Sequence, residues 1–548
     1  MHETVYGRMS ALRRAACHQR AGDALQELFG AGADAHAAEL ARHYLASGTL
    51  CEAALCVRYS RLAAEQATAS LAHEEAAGHL ERALTRVVAG AERCELALLL
   101  GHARKAAGDT ADARVAFRQA FDEAVNLALP DQLARAALGY GGDLVPVSGG
   151  QVDGDAVRML EAALASQPGD SRLRATVLGH LAVELHWSAD AARRDALSRE
   201  AVAVARRLDD PAALTEALFA RRFTIWGPDS LEERLALGAE ILALSAGGRD
   251  RTHGMRKQQW RVVDLVEAGE IDAARREIAV ASTIADAVRQ PRHRWVAASL
   301  HAMAAIFEGR LGDAERLALE AFEMGQRALE DDAPHALAAH LAIIRRYQGR
   351  HEDMMDASRS YAASRATAPV WACFVAVSCA EMGRLEEARE QLALWSADGC
   401  RRIPRDSNWL FGVTCLAEIP AYLGTPGPSR ELYDLLAPFA DRVASTSYGG
   451  VSTGSVEHFL GVLAHAFGDH DVAAGHFDRS IEKHMNWGAR PMLARSRYAY
   501  ALMLSKGERP ADRARAWRLL DDALAGARAV GMTRLTAAIA DASAAAQA

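Results

Sequence analysis

Apolar residues in this chain recur at helical spacing, in blocks of a dozen or more positions divided by short polar turns. β-branched residues are sparse and never form the period-2 runs that a half-buried strand needs. The one strand-like stretch, Asp143-Leu-Val-Pro-Val147, is interrupted by Pro146 and reads as loop. The pattern predicts an all-α chain. Its turns repeat as well: a Gly in a short turn is usually followed five residues later by a small residue in a second helix. Gly269, Gly309, Gly349, Gly383, Gly424, Gly468 and Gly507 form this series, with spacings of 40, 40, 34, 41, 44 and 39 residues. A fixed period of this size marks stacked helix pairs, each covering an apolar face that its neighbour leaves open.

The residues around the turns have a consistent size pattern. Gly101, Gly108, Ala113, Phe117 and Ala120 fall at positions 8, 15, 20, 24 and 27 of a tetratricopeptide unit, and so do Gly461, Gly468, Ala473, Phe477 and Ser480. Leu40, Ala41, Tyr44, Gly48, Ala53 and Val57 match positions 7, 8, 11, 15, 20 and 24. Small residues let two antiparallel helices approach, one large residue fills the gap, and Gly ends the first helix. The expected architecture is a tetratricopeptide-like helix-turn-helix solenoid, wound as a right-handed superhelix. Between Gly108 and Gly269 the Gly marker is lost although helical patterning persists. The expected organisation is a short helical segment at 1–30, N-terminal repeats at 31–138, a Gly-rich break at 139–154 and a longer solenoid at 155–548. Two further irregular stretches are expected at Cys400–Asn408, with Pro404 and several arginines, and at Tyr422–Arg430.

Composition narrows the function. With 548 residues the chain exceeds a single compact core. A net charge of −8 without acidic or basic blocks argues against nucleic acid as the main partner, because phosphate neutralisation needs clustered cations. Eight cysteines without a Cys-x-x-Cys pair read as buried, reduced thiols. Cys51 and Cys56, five apart on an expected helix, would point about 140° apart and hold no metal together. No signal peptide begins the chain and no stretch of 18 uncharged apolar residues occurs, so the expected location is the cytoplasm.

Candidate chemistry is thin. The only lysines are Lys105, Lys257, Lys483 and Lys506, and none follows a glycine, so there is no phosphate-binding P-loop. Gly450-Val-Ser452-Thr-Gly454 matches the nucleophile-elbow spacing. The stretch before it, Val443 to Tyr448, reads as a polar loop, and Ser452, Thr453 and Ser455 are natural helix-capping residues. His73 and His79 are six apart and lie on opposite sides of a helix, whereas zinc needs an i, i+4 pair. His465, His470 and His476 straddle the Gly468 turn, where the simplest reading is solvated turn histidines. Trp187, Trp226, Trp260 and Trp295 read as core knobs before they read as an aromatic groove. Arg249, Arg251, Arg256, Lys257 and Arg261 read as a solvated face before a phosphate site. The sequence therefore assigns no catalytic, cofactor-binding or metal-ligating residue, no cofactor, and no enzyme activity.

Several blocks resemble the C-terminal repeat arm of STAND-class signalling ATPases, which include LuxR-type transcriptional regulators and cyclase-linked ATPases. His2-Glu-Thr-Val-Tyr6, Ser10-Ala-Leu-Arg-Arg14 and His18 are similar to the end of the winged-helix segment after the ATPase. Ala38-Glu-Leu-Ala-Arg-His-Tyr44, Ala72-His-Glu-Glu-Ala-Ala77 and Leu80-Glu-Arg-Ala-Leu84 resemble the first repeats of that arm. Trp226-Gly-Pro-Asp-Ser-Leu-Glu-Glu-Arg234, Gln259-Trp-Arg-Val-Val-Asp264, Gly488-Ala-Arg-Pro491 and Ala494-Arg-Ser-Arg-Tyr498 extend the likeness. It covers only one part of the family architecture: the ATPase would precede Met1 and the DNA-binding domain would follow Ala548. No family catalytic residue carries over. The resemblance implies a scaffold or sensor arm in bacterial signalling or transcriptional regulation, with a protein partner, such as a separately encoded ATPase or regulator, or a small inducer. The alternatives are a truncated remnant with little independent function and, from another class, a serine hydrolase built on Ser452.

Overall fold

A computed structural model describes residues 9–141, 152–188, 190–245, 254–288, 290–328, 332–364, 369–446, 451–507 and 509–547. Asp143–Val147 and most of the Gly-rich stretch lie outside these residues. Within them the chain is helical almost throughout, in consecutive pairs joined by short turns. Helix starts are capped as the chemistry of short polar residues demands. Ser10, Asp109, Asp153, Ser171, Asp190, Ser455 and Asp469 each accept a hydrogen bond from a first-turn backbone N–H. The chain forms two compact units that part between Thr224 and Ile225, well past the Gly-rich stretch.

The first unit pairs Ala37–Ala46 with Ala53–Ala69, Ala91–Ala106 with Thr110–Asn126, Pro130–Gly141 with Gly154–Ala165, and Arg172–Glu184 with Ala191–Arg207. Ala11–Phe29 precedes the first pair, His73–Leu84 packs between Ala53–Ala69 and Ala91–Ala106, and Pro211–Thr224 closes the unit. The small-to-large rule holds: a Cβ on Gly101 or Gly139 would run into the Phe117 ring. After Gly108 the Gly marker lapses because other residues occupy the left-handed turn position, with φ of 51° at Ala128 and 52° at Asp209, as Leu71 does earlier at 61°. The core continues across residues 142–151, since Ala137 and Tyr140 share one apolar cluster with Met159, Leu160 and Val177.

The second unit opens with Leu231–Ser245 and then pairs Gly254–Glu267 with Ile271–Val288, Pro291–Glu308 with Leu311–Arg327, and Ala333–Gln348 with Glu352–Ser364. Val370–Glu381 with Leu385–Ser396 and Trp409–Leu423 with Ser429–Leu436 follow. Val456–Ala466 with His470–Trp487, Arg490–Ser505 with Pro510–Val530, and Thr533–Gln547 complete it. Where the sequence reads as polar loop, a short hairpin forms instead. Strand β1, Val443–Ser445, pairs antiparallel with β2, Ser452–Ser455, matching Val443 to Ser455 and Ala444 to Gly454. Val443 and Ala444 are fully buried, and this burial offsets the low strand propensity of the segment.

The first and last repeats of this unit meet. Arg275 Nη2 donates to the Trp487 carbonyl at 2.8 Å, and Thr533 Oγ1 donates to the Gln348 carbonyl at 2.5 Å. Three turn glycines receive the later chain: Gly269 faces Trp487, Gly309 faces Pro491 and Val530, and Gly349 faces Thr533 and Arg534. Gly383, Gly424 and Gly468, from the same series, have open space where a Cβ would stand. One series of turns thus has two uses.

That difference is testable. Gly309 and Gly468 both have left-handed φ, 76° and 91°, but a Cβ on Gly309 would come 2.9 Å from Val530 Cγ2 and 3.0 Å from Pro491 Cδ. Gly468→Ala should cost about 1 kcal/mol from the backbone alone. Gly309→Ala should cost about 2–4 kcal/mol, because overpacking adds to the same backbone term. Urea denaturation followed by circular dichroism would measure both.

Candidate functional site

The Gly-x-Ser-x-Gly match can be judged by geometry. Ser452 lies in β2, 2% exposed, and its Oγ has no hydrogen-bond partner. It borders a cavity of about 20 Å³ lined by Val266, Ile271, Ile278, Met303 and Phe307, room for one water molecule. The nearby buried His484 is committed elsewhere. Its Nε2 accepts from the Ser455 backbone N–H at 2.8 Å, which places the ring proton on Nδ1. That N–H faces Ser496 Oγ at 3.2 Å, and Ser496 in turn faces Nδ1 of His458 at 3.0 Å. A nucleophile needs a base within hydrogen-bond reach and a group that orients the base. Ser452 has neither, and Ser455 caps the following helix through its Oγ. Gly450 lies outside the described residues.

The histidine groups separate similarly. His465 Nδ1 meets His470 Nδ1 at 3.2 Å, but His476 turns away to Glu457, at 2.5 Å from Nδ1, and to the Tyr433 hydroxyl, at 2.9 Å from Nε2. His79 is buried against Arg82 and Glu75, while His73 starts the same helix. Among the described residues, no three His, Cys, Asp or Glu side chains converge as metal ligands. Cys51 precedes the helix that carries Cys56, so the two do not share a helix as expected. Burial and the neighbouring Cys56 push the Cys51 thiol up to about 12.

Trp226, Trp260 and Trp295 are buried in the second unit and Trp187 is half-buried in the first, so none of the four presents an open aromatic wall. Of the basic group, Lys257 is buried and Arg261 pairs with Glu277 at 2.7 Å. Arg249, Arg251 and the Arg256 side chain lie outside the described residues. The irregular stretch Cys400–Asn408 is tied to Pro228–Ser230 of the same unit: Arg405 pairs with Asp229 on both oxygens, at 2.8 and 2.5 Å, and stacks on Trp409 with 4.3 Å to the ring centroid.

The densest polar constellation is one that the sequence reading missed. Arg346, Glu381, Glu418 and Arg495 form a closed alternating ring in the second unit, each on the first helix of its pair. Arg346 bonds Glu381 at 2.8 and 3.1 Å and Glu418 at 2.8 Å. Arg495 bonds Glu381 at 3.0 Å and also pairs with Glu418. Tyr422 and His351 each approach Glu381 at 3.3 Å. Burial alone would raise the Glu381 carboxyl, but the two guanidiniums hold it well below the usual carboxylate range. Two positive and two negative charges satisfy one another, which leaves no charge here for a ligand. A second buried group, Arg234 with Asp264 and Glu267, anchors the start of the same unit.

The first unit has an open cavity of about 650 Å³ lined by Ala38, Glu39, Arg42, Leu45, Ala46, Glu75, His79 and Arg82. It lies between the helices Ala37–Ala46 and His73–Leu84. No helix among the described residues is long and apolar enough to cross a membrane.

No family model matches the chain, and no curated protein matches it. Solved structures similar in helical repetition include the APC/C hetero-tetramer Cut9-Hcn1, with TM-score 0.34 and 13% identity over 88% of this chain and 96% of that one. Yeast Tom70 aligns with TM-score 0.33 and 12% identity over 82% and 97% of the two chains. Naa15/Naa10 bound to HypK gives 0.24 and 12% over 96% and 93%. The all-α, tetratricopeptide-like assignment rests on the helix pairs themselves.

Two outcomes follow. Arg495→Met would leave two buried carboxylates sharing one guanidinium and should cost about 3–5 kcal/mol in chemical denaturation. The pH dependence concerns His484, whose pKa burial and Lys483 lower from 6.5 to about 3. Below pH 6.5 the unfolded chain takes up a proton that the folded chain refuses, so this contribution is complete above 6.5 and declines toward 3. At pH 5 the loss should reach about 2 kcal/mol. His484→Gln, which keeps an acceptor and a donor, should flatten that slope in thermal melts between pH 7 and 4.

Proposed function

We propose that this chain is a non-catalytic scaffold that binds a protein partner, and that it serves as a sensor arm in bacterial signalling or transcriptional regulation. The observation that carries the proposal is a contrast within the fold. The four buried charges of the second unit's ring are consumed by one another, whereas the first unit leaves an open groove with charged walls. A stack of helix pairs supplies extended surface without a reactive cleft, which suits recognition better than chemistry. The likeness of the blocks within 2–18, 38–44, 72–84, 226–234, 259–264 and 488–498 to STAND-class arms supports a separately encoded ATPase or transcription regulator as the partner. A small inducer is the second ligand class that the resemblance supplies. The proposed location is the cytoplasm.

Affinity purification of the tagged chain from native lysate, with stoichiometry measured by quantitative mass spectrometry, tests this reading. A near-equimolar ATPase or regulator is the expected result. A folded chain that retains no stoichiometric protein would overturn the partner and move the search to a small inducer.

A further inference from the structure

We propose that the helix Ala11–Phe29 is a proton-sensitive cover on the first repeat, docked through a hydrogen bond between the imidazoles of His18 and His43 and released when that pair gains a proton. The device goes beyond the scaffold reading and needs no partner to operate.

The helix is lightly held. It packs on Ala37–Ala46 and on the short turns Gly30–His36 and Gly48–Leu50. Of its 19 residues only Gly22 is buried, whereas Ala37–Ala46 buries Ala37, Leu40, Ala41 and Tyr44. The two helices meet closely at Gly22, where a Cβ would stand 2.7 Å from the Tyr44 ring. Leu25 and Phe29 pack, half-buried, against the apolar cluster that contains Ala37, Leu40, Ala41 and Tyr44. An element with so little buried apolar surface opens at a fraction of the free energy of global unfolding.

Three polar contacts add to this docking. The Tyr44 hydroxyl donates to Gln26 Oε1 at 2.6 Å, a neutral pair. Asp23, 3.4 Å from the same hydroxyl, accepts from Gln19 on its own helix at 3.0 Å. The third contact joins His18 Nδ1 to His43 Nδ1 at 3.0 Å. Of the three, only the histidine pair titrates between pH 5 and 8.

Arg42 fixes the proton of that pair. A guanidinium only donates, and Arg42 Nη2 lies 3.2 Å from His43 Nε2, so that nitrogen accepts. The His43 N–H is therefore on Nδ1 and donates to His18 Nδ1, which leaves the His18 proton on Nε2. A further proton has two places to go. On His18 Nδ1 it would face the His43 N–H, and on His43 Nε2 it would face the Arg42 guanidinium. Either position sets donor against donor.

The surroundings relieve this only in part. On Ala37–Ala46, Glu39 approaches Arg42 at 3.8 Å. In the turn Gly30–His36, Asp34 is paired with Arg58 at 2.8 Å and His36 stacks on Phe29 with ring centroids 3.6 Å apart. The turn Gly48–Leu50 carries no charge, and on the helix itself Arg14 lies one turn before His18. Burial, with Arg42 next, holds the His43 imidazole below its ordinary value of 6.5, and Glu39 opposes them weakly. The docked pair thus refuses a proton that the separated side chains accept. Docking is complete above pH 6.5 and weakens as the pH falls below it.

Hydrogen–deuterium exchange of the full chain at pH 7.5 and 5.0, read by mass spectrometry and corrected for intrinsic rates, tests the device. Protection of residues 11–29 should fall about tenfold at pH 5.0, while that of residues 91–106 stays level. His18→Asn keeps an acceptor for the His43 N–H but does not titrate, so 11–29 should be protected equally at both pH values. His18→Ala removes the acceptor, so 11–29 should exchange at the acid rate at both. Equal protection of 11–29 in the wild-type chain at the two pH values would overturn the proposal. A pH step that persists in either variant would overturn it too, since the step would belong to another group. So would a parallel loss at 91–106, which would mean acid unfolding of the whole unit.

Discussion

Two arginines and two glutamates tie the middle of the second unit to its last full pair. A row of helix pairs has contacts only between neighbours, so nothing in the repeat itself brings its first members against its last. The ring of Arg346, Glu381, Glu418 and Arg495 ties three successive middle pairs to the last full pair, which supplies Arg495, and the first pair reaches the later chain through Arg275 and Trp487. Burying one ion pair often yields little net stability, because desolvation cancels the attraction. Here each carboxylate faces two guanidiniums and each guanidinium two carboxylates, so no member is left with half of its partners. The charges specify which helices meet more sharply than apolar packing would. The turns at Gly269, Gly309 and Gly349 can then accept Trp487, Val530 and Arg534 only because glycine leaves room for them.

Local pattern was legible in the sequence to the extent that local physics decides it. Helix spacing and the Gly101 and Gly461 seats for Phe117 and Phe477 depend on residues within one repeat. The ring was invisible because its members lie 35 to 149 positions apart and each alone looks like a surface charge on a helix. The hairpin was missed for a related reason. Val443-Ala-Ser445 has weak strand propensity and pairs only because tertiary burial covers it. The lost Gly marker between Gly108 and Gly269 had a local cause that composition hides, since Ala128 and Asp209 adopt the backbone conformation that Gly was expected to supply.

Candidate chemistry failed or survived by connection rather than by residue type. Ser452 has the spacing of a nucleophile, but the nearby His484 is held by Ser455 and Ser496. His476 has a carboxylate partner in Glu457 and a hydroxyl partner in Tyr433, yet Arg479 bonds the same carboxylate at 2.8 Å, so the group is a satisfied structural network. A motif states which atoms are available, and only the fold states whether their bonding capacity has already been used.

The same criterion locates where this molecule can interact. Buried polar atoms of the second unit are mostly paired within their own chain, and in a low-dielectric interior that pairing is what makes them tolerable. Exposed charges on the walls of the first-unit groove are under no such demand, since water satisfies them until a partner does. Their ion pairs, at 3.7 and 3.8 Å, are too long to contribute much, and Arg42 and Arg82 otherwise reach only a histidine ring each, at 3.2 Å. An interaction surface built from such groups gives up little when it binds, because few internal bonds must break first. The second unit, in contrast, could offer its inner charges to a ligand only by opening the ring that keeps its repeats together.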